Sequence, residues 1–324
     1  MPTLSSTRAS RVRSTRPQES SNVRGWLTLF VLIVAVGILS VGPGTISEAI
    51  RGLTYVRPPA STEPAVPLEG DAELQKRLDT ATLGLSRGSV SASIVDLRNG
   101  ATAGLDAQAV YPAASLFKLP ILAEVLAQEE EGTLNPDQLL EVRSDDWTDG
   151  SGVLQARIGD SLSVRELQQL MIQDSDNIAA LVLLDAIGVD RVNSSARRLG
   201  LTATHIVDHR AGEDGDHTTS ASDMALLLRT IATGQLVNAQ VSETALQLLE
   251  LKQTNAWLTG DLPFWVKLAH KWGELPDARN DVGIVFAPRG SAVVAVLTRD
   301  ADPDEAARVI ARSARAAYDF VGAS

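Results

Sequence analysis

The motif Ser115-Leu116-Phe117-Lys118 is the only S-x-x-K pattern in the chain. On a helix, residues three apart share a face, so the lysine amine can reach the serine hydroxyl. Serine is a weak nucleophile without an adjacent base, and a lysine serves as that base when burial or a second cation lowers its pKa. A helix start also offers free backbone N–H groups to a developing oxyanion. The motif predicts an activated serine, although a capped helix start has the same pattern.

Ser175-Asp176-Asn177 lies 60 residues after Ser115, between two helical patterns. The Ser175 hydroxyl could pass a proton to a leaving group, and the Asn177 amide could bind a substrate amide. The alternative is an ordinary helix N-cap, because Ser, Asp and Asn are all preferred at that position.

Lys271-Trp272-Gly273 follows a strand-like run and supplies a second cation. Gly273 would allow a ligand backbone to approach closely. The alternative is an exposed lysine at a strand end. Lysine is rare in this chain, at five residues against 24 arginines, so a lysine in such a position is less easily dismissed as accidental.

His205 and His209 are four apart, a spacing that would suit a metal ion on a helix. The segment is β-branched and follows Gly200, which favours polar loop histidines instead. The chain has no cysteine, so disulfides, thiolate metal sites and a lipid-modified cysteine are excluded. We therefore expect no metal and no cofactor.

Secondary-structure patterns place these motifs within an α+β fold. Helical spacing spans 71–85, and strand patterns cover 89–95 and 101–105, with Asn99-Gly100 as a hairpin signal. Residues 115–250 are mostly helical, three strands follow at 264–270, 282–286 and 292–298, and an amphipathic helix covers 304–320. We predict an antiparallel five-stranded sheet flanked by terminal helices, with an inserted all-helical lobe and a ligand cleft between the two.

The three motifs, in this order, resemble those of the class A β-lactamase and penicillin-binding-protein superfamily. Further segments resemble the nucleophile helix, the cleft-wall loop, the central helical hairpin and the sheet of that family, over about residues 70–322. These segments are 111–126, 150–155, 162–180 and 279–286. The resemblance implies the serine β-lactamase/DD-peptidase-like fold.

The resemblance also implies residue roles. Ser115 would form the acyl-enzyme, Lys118 would take part in its activation, and Ser175 would relay a proton to the leaving nitrogen. Asn177 would contact the substrate amide, and Lys271 would supply positive potential. Backbone N–H groups of Ser115 and Glu274 would form the oxyanion hole, and Trp272 and Gly273 would complete the substrate-binding strand.

Two departures from the family pattern concern substrate binding and deacylation. Trp272 replaces the family's threonine, whose hydroxyl binds the substrate carboxylate, and losing such a bond costs about 1.5–3 kcal/mol. The loop between Asn177 and Thr218 is roughly seven residues shorter than in the family and lacks the deacylating Glu-x-x-Leu-Asn. Glu213 could replace that glutamate if the loop folded inward, although a solvated acidic loop is the simpler interpretation.

The N-terminal region predicts a membrane tether. Residues 25–47 are uncharged, long enough as a helix to span about 30 Å of hydrocarbon. Arginines precede them, so residues 1–24 would be a cytoplasmic basic tail and the remainder would be extracytoplasmic. Residues 48–69 form a proline-rich linker and 70–324 the hydrolase domain. A cleaved signal peptide followed by secretion is the alternative.

The acidic net charge of the chain argues against nucleic acid as a partner. The net charge is −11, and residues 1–25 contribute +4, which leaves −15 on the remainder of the chain. An acidic body is unsuited to nucleic acid. We expect a monomer that hydrolyses β-lactams or peptidoglycan-derived D-alanyl peptides. The alternatives are a non-catalytic cell-wall-binding module and a purely structural anchored domain.

Overall fold

The computed structural model of the chain describes residues 68–323. Within that range, six strands form the main sheet in the order β1-β3-β2-β10-β9-β8. They are β1 (Glu69–Gly70), β2 (Ser89–Asp96), β3 (Ala101–Leu105), β8 (Lys267–Leu275), β9 (Ala278–Ala287) and β10 (Gly290–Arg299). Short pairs elsewhere join β4 (Tyr111–Pro112) to β7 (Thr218–Thr219) and β5 (Leu139–Glu141) to β6 (Ser161–Ser163).

The predicted five-stranded antiparallel sheet is wrong in one strand. The strands β3, β2, β10, β9 and β8 are antiparallel neighbours. Short turns join β2 to β3, β8 to β9 and β9 to β10, whereas β2 and β10 pair across the inserted helical lobe. β1 adds a sixth strand at the edge, and it runs parallel to β3, with Glu69 opposite Ala101. The sequence composition instead predicts that Glu69 belongs to the proline-rich linker. Two residues carry no readable alternation, so only the pairing with β3 reveals this strand.

The described range also contains eight α-helices. They are α1 (Ala72–Ala81), α2 (Lys118–Glu130), α3 (Val164–Gln173), α4 (Asn177–Ile187), α5 (Val189–Arg198), α6 (Ala221–Ala232), α7 (Ala239–Leu249) and α8 (Pro303–Ala323). The terminal helices α1 and α8 pack on one sheet face through an aliphatic cluster that includes Leu74, Val294 and Ile310. The predicted α+β design is confirmed.

The other sheet face packs against the helical lobe. Every second side chain of the strands points to this face. Val282, Ile284 and Val293 are among them, and they pack into a larger hydrophobic core with α2 and α4. The helix α2 lies at the centre of this core, and ten of its thirteen residues are buried. A helix buried on nearly all sides is held rigidly, so the residues at its start are fixed relative to the sheet.

The predicted tail, membrane anchor and most of the linker, residues 1–67, lie outside the described residues. Between residues 68 and 323, no helix combines the length and apolar character needed to cross a membrane.

Candidate active site

Ser115 lies in a 3₁₀ turn, Ala114–Phe117, that leads directly into α2. Three residues per turn make positions i and i+3 eclipse, which places the Lys118 amine 3.2 Å from the Ser115 hydroxyl. Ala114 precedes the serine with φ +45°, a conformation that costs energy in a residue with a side chain. The strain sits directly beside the predicted nucleophile.

Lys118 is fully buried. Its amine also contacts Asn177 Oδ1 at 2.7 Å, Ser175 Oγ at 3.1 Å and the Ser175 carbonyl oxygen. Burial, and then the charge of Lys271, hold the pKa of Lys118 well below the ordinary lysine value. An amine with a lowered pKa loses its proton more readily, and its lone pair can then accept the proton of Ser115.

Ser175 lies between two amines. Its hydroxyl is 3.1 Å from Lys118 Nζ and 3.0 Å from Lys271 Nζ, and its backbone φ of +53° is left-handed. Lys271 is fully buried and also donates to the Trp272 carbonyl oxygen, at 2.9 Å. Burial lowers the pKa of Lys271 to about 7. The three groups form a continuous path for a proton.

Asp176 is the N-cap of α4 and also fixes the cleft wall. One carboxylate oxygen accepts from Ala179 N at 2.9 Å, and the other accepts from Val153 N and Leu154 N at 2.6 and 3.0 Å. A Cβ on Gly152 would lie 2.2 Å from that second oxygen. In the tripeptide Ser175-Asp176-Asn177, Asp176 caps the helix, while Ser175 and Asn177 remain available for catalysis and substrate binding. The two interpretations of the motif are therefore compatible.

Strand β8 passes directly against the nucleophile turn. A Cβ at Gly273 would lie 3.0 Å from Ser115 N and 3.1 Å from the Ala114 Cβ, so a side chain there would crowd the nucleophile turn. Glu274 follows, and its side chain lines the same pocket as Ser115. The two predicted oxyanion donors thus belong to segments in contact, which is the arrangement that charge stabilisation at a reacting carbonyl needs.

A pocket of about 210 Å³ opens above Ser115. Its walls include Asn177 and Glu274 from the predicted set, together with Phe117, Asp216 and His217. The structure therefore brings Ser115, Lys118, Ser175, Asn177 and Lys271 to one place, with the two lysines beneath the pocket. Their catalytic roles remain predictions.

Trp272 does not line this pocket. The indole is 4% exposed, stands edge-on to Trp257 at 5.8 Å between centroids, and lies 4.7 Å from the Lys271 amine. Within the described residues its Nε1 has no hydrogen-bond partner. The prediction that Trp272 contacts substrate is not supported by this position, because the side chain packs beneath Lys271 and does not enter the cleft.

Glu213 also lies away from the pocket. It is exposed, accepts from the Asp208 backbone N–H at 2.8 Å and contacts His205 at 2.7 Å, and these two contacts lower the pKa of Glu213. The inward-folded loop that would make Glu213 a deacylating base is not present. His205 and His209 both contact Glu213, and the described residues contain no cluster of His, Asp and Glu suited to a metal ion.

His217 lines the pocket, although no sequence motif singles it out. Its ring lies 4.3 Å from that of Phe117, and burial lowers the pKa of His217 to about 4. Val207 N donates to Nδ1 at 3.0 Å, so the neutral ring carries its proton on Nε2 and has no free lone pair. His217 is thus a neutral donor rather than a base.

The model of the "Beta-lactamase enzyme family" matches residues 73–321. The Stenotrophomonas maltophilia protein "Beta-lactamase L2" is 27% identical over 278 residues, covering 78% of this chain and 88% of that protein.

Solved structures agree with this match. PBP-A superimposes with a TM-score of 0.72 at 25% identity, covering 79% of this chain and 98% of that one. A β-lactamase from Sphaerobacter thermophilus gives a TM-score of 0.70 at 26% identity, with 78% and 98% coverage. A mutant of PBP-A has been solved as an acyl-enzyme complex with penicillin-G.

The position of Trp272 gives a stability prediction. Trp272→Thr would restore the family residue but delete a buried aromatic side chain, so we expect a loss of about 3 kcal/mol in the free energy of unfolding. Trp272→Phe keeps an aromatic ring and loses only an unpaired N–H, so it should cost clearly less. Urea denaturation of the two variants measures both values. Equal losses, or a neutral Trp272→Thr, would contradict the packing role.

Proposed function

This chain belongs to the Beta-lactamase enzyme family and is a β-lactamase-like serine hydrolase, and from that premise we propose that it acylates Ser115 with β-lactams or D-alanyl peptides. The observation that carries the proposal is the buried Lys118 amine 3.2 Å from the Ser115 hydroxyl, beneath an open pocket. Further support comes from the second amine, Lys271, 3.0 Å from Ser175 Oγ.

In the proposed acylation, the neutral Lys118 amine accepts the proton of Ser115 as its Oγ bonds to the substrate carbonyl carbon. Backbone N–H groups of Ser115 and Glu274 bind the oxygen that gains charge. The carbon–nitrogen bond then breaks as Ser175 gives its hydroxyl proton to the leaving nitrogen and takes one from Lys271. The product is an ester on Ser115; the amine leaves when the substrate is a peptide and stays attached to the opened ring when it is a β-lactam.

Deacylation is the slow step of the proposed cycle. Hydrolysis of the ester needs a base that activates a water molecule. Glu213 is bound to the Asp208 backbone and His205, and the neutral His217 ring uses its lone pair on Val207 N. Asp216 is the one loop carboxylate on the pocket wall among the described residues, and it is exposed to solvent. We therefore propose a slow hydrolase with penicillin-binding character.

The cellular setting is also a proposal. The uncharged segment 25–47 after an arginine-rich start supports a single-pass membrane protein with an extracytoplasmic, monomeric hydrolase domain. Secretion after signal cleavage is the alternative. Protease accessibility of the domain in intact cells, with membrane fractionation, separates the two.

Labelling tests the nucleophile. Penicillin should add its mass to the wild-type protein and, after digestion, to the peptide that contains Ser115. Ser115→Ala should abolish the adduct because it removes the attacking oxygen, whereas Ser144→Ala, at an exposed serine outside the pocket, should not. Adduct formation that survives Ser115→Ala would refute the assignment. A folded wild-type protein that resists every acylating agent would favour the non-catalytic cell-wall-binding module.

The lifetime of the ester tests slow deacylation. After a penicillin pulse and removal of free compound, we expect intact-mass spectra to retain the adduct for minutes or longer, because Glu213 and Asp216 are both exposed rather than buried beside Ser115. Rapid multiple turnover of a chromogenic cephalosporin would contradict this expectation and would indicate an efficient β-lactamase.

The pH dependence of acylation tests the two amines. The rate should rise with pH as Lys118 loses its proton, and should fall above about 7 as Lys271 loses the proton that it supplies to Ser175. Lys271→Arg keeps the charge at all accessible pH values, so the falling limb should disappear even if the absolute rate drops. A falling limb that is unchanged in this variant would assign it to another group.

A further inference from the structure

A buried histidine–aspartate pair lies beside Lys271, outside the pocket. His270 Nδ1 is 2.9 Å from Asp281 Oδ1, and the two residues are 4% and 0% exposed. The other Asp281 oxygen accepts a hydrogen bond from Leu258 N at 3.1 Å. An ionised carboxylate only accepts hydrogen bonds, so the His270 ring carries its proton on Nδ1. Neither residue lines the pocket above Ser115.

The strand ladder places this pair on the face of β8 opposite to that of Lys271. Side chains alternate between the two faces along a strand, so His270 and Trp272 point away from the face of Lys271. Asp281 is opposite Trp272 in the β8–β9 ladder, and Val282 is opposite Lys271. The Lys271 amine donates to the Trp272 carbonyl oxygen at 2.9 Å, so it stays close to the strand backbone that separates it from Asp281.

A glycine on β9 makes room for this pair. Gly283 is opposite His270, and a Cβ there would lie 2.7 Å from the His270 Cβ and 3.0 Å from Leu258 Cδ1. A side chain at position 283 would therefore displace the imidazole or Leu258, and both of these residues donate to Asp281. Glycine at this position allows both donors to reach the carboxylate.

Asp281 is the carboxylate whose charge acts on Lys271. Burial lowers the pKa of Lys271 to about 7, and the negative charge of Asp281 opposes that effect by raising the pKa. Two other charged groups lie nearby. The Lys118 amine is on the far side of Ser175, and the Asp176 carboxylate raises the pKa of Lys118. No hydrogen bond among residues 68–323 joins the Lys271 amine to a carboxylate, so Asp281 acts through space.

In the proposed acylation, Lys271 must carry a proton to replace the one that Ser175 gives to the leaving nitrogen. We infer that Asp281 is a positioning residue for that step, because its buried carboxylate, held by His270, keeps the Lys271 amine charged. A carboxylate is stable in the interior only while it has hydrogen-bond donors, and His270 supplies one of its two. This inference rests on the proposed acylation of Ser115 and extends it to residues outside the pocket.

The test measures the titration of Lys271 in the protein without substrate, by NMR of ¹³C-labelled lysine side chains, with Lys271→Arg to assign the signal. Asp281→Asn keeps the shape of the side chain and removes its charge, so Lys271 should titrate about one pH unit lower. The falling limb of the pH profile for acylation should move to lower pH by a similar amount, because it reports the same amine.

Two variants of His270 separate its role from simple packing. His270→Phe removes the donor to Asp281, and a buried carboxylate that lacks donors takes up a proton, so Lys271 should shift as in Asp281→Asn. His270→Asn keeps an N–H near the position of Nδ1, and Lys271 should titrate close to its wild-type value. Equal shifts in the two His270 variants would contradict this role. If Asp281→Asn does not fold, this pair of variants decides the inference by the same titration.

The matched control is Asp96→Asn, at a fully buried aspartate of the same sheet. Asp96 pairs with Arg98 at 2.6 Å on β2, and β10 lies between β2 and β9. The control should leave the titration of Lys271 unchanged, and thermal melts verify that each variant is folded.

A shift of Lys271 below about 0.3 pH units in folded Asp281→Asn, or one no larger than in Asp96→Asn, overturns the inference while the acylation of Ser115 stands. If Lys271 shifts as expected but penicillin does not label Ser115, the proposed function fails. The effect of Asp281 on Lys271 then stands without a catalytic role, so the two failures are distinguishable.

Discussion

The site depends on two lysine amines held without exposure around one serine hydroxyl. Lys118 and Lys271 are fully buried, and among residues 68–323 neither amine has a carboxylate as a hydrogen-bond partner. Burying an unpaired ammonium is costly, so the protein favours the neutral form of at least one amine. That same cost makes Lys118 a base. Desolvation of the amines therefore both lowers the pKa of Lys118 and destabilises the folded state. The surrounding structure must compensate for that loss of stability.

The neighbouring structure holds these groups in conformations that are unfavourable in isolation. Ala114 and Ser175 both adopt positive φ, and each is fixed by a rigid neighbour. The turn at Ala114 packs between α2 and Gly273. Ser175 precedes Asp176, whose carboxylate accepts hydrogen bonds from three backbone N–H groups. Strain of this kind persists where packing over-determines the backbone. The aliphatic core behind α2 and the capped start of α4 thus position the chemistry at Ser115.

Much of this arrangement is predictable from sequence. The S-x-x-K spacing predicts the contact between Ser115 and Lys118, and family resemblance brings Ser175 and Lys271 to it. Side-chain direction is not predictable in the same way. The packing of Trp272 against Trp257 depends on the contact between β8 and the 3₁₀ turn Trp257–Thr259. The β1 strand is defined only by its pairing with β3, and the outward position of Glu213 is defined only by the conformation of its loop. Neither is visible in a local sequence pattern.

The most direct test of the account is the protonation of Lys118 itself. The chain has five lysines, so NMR of protein with ¹³C-labelled lysine can follow each side-chain methylene through a pH titration. Lys118→Arg assigns the signal. We expect Lys118 to titrate well below the ordinary lysine value of 10.5 in the protein without substrate. Titration of Lys118 at or above that value would contradict its role as the base for Ser115.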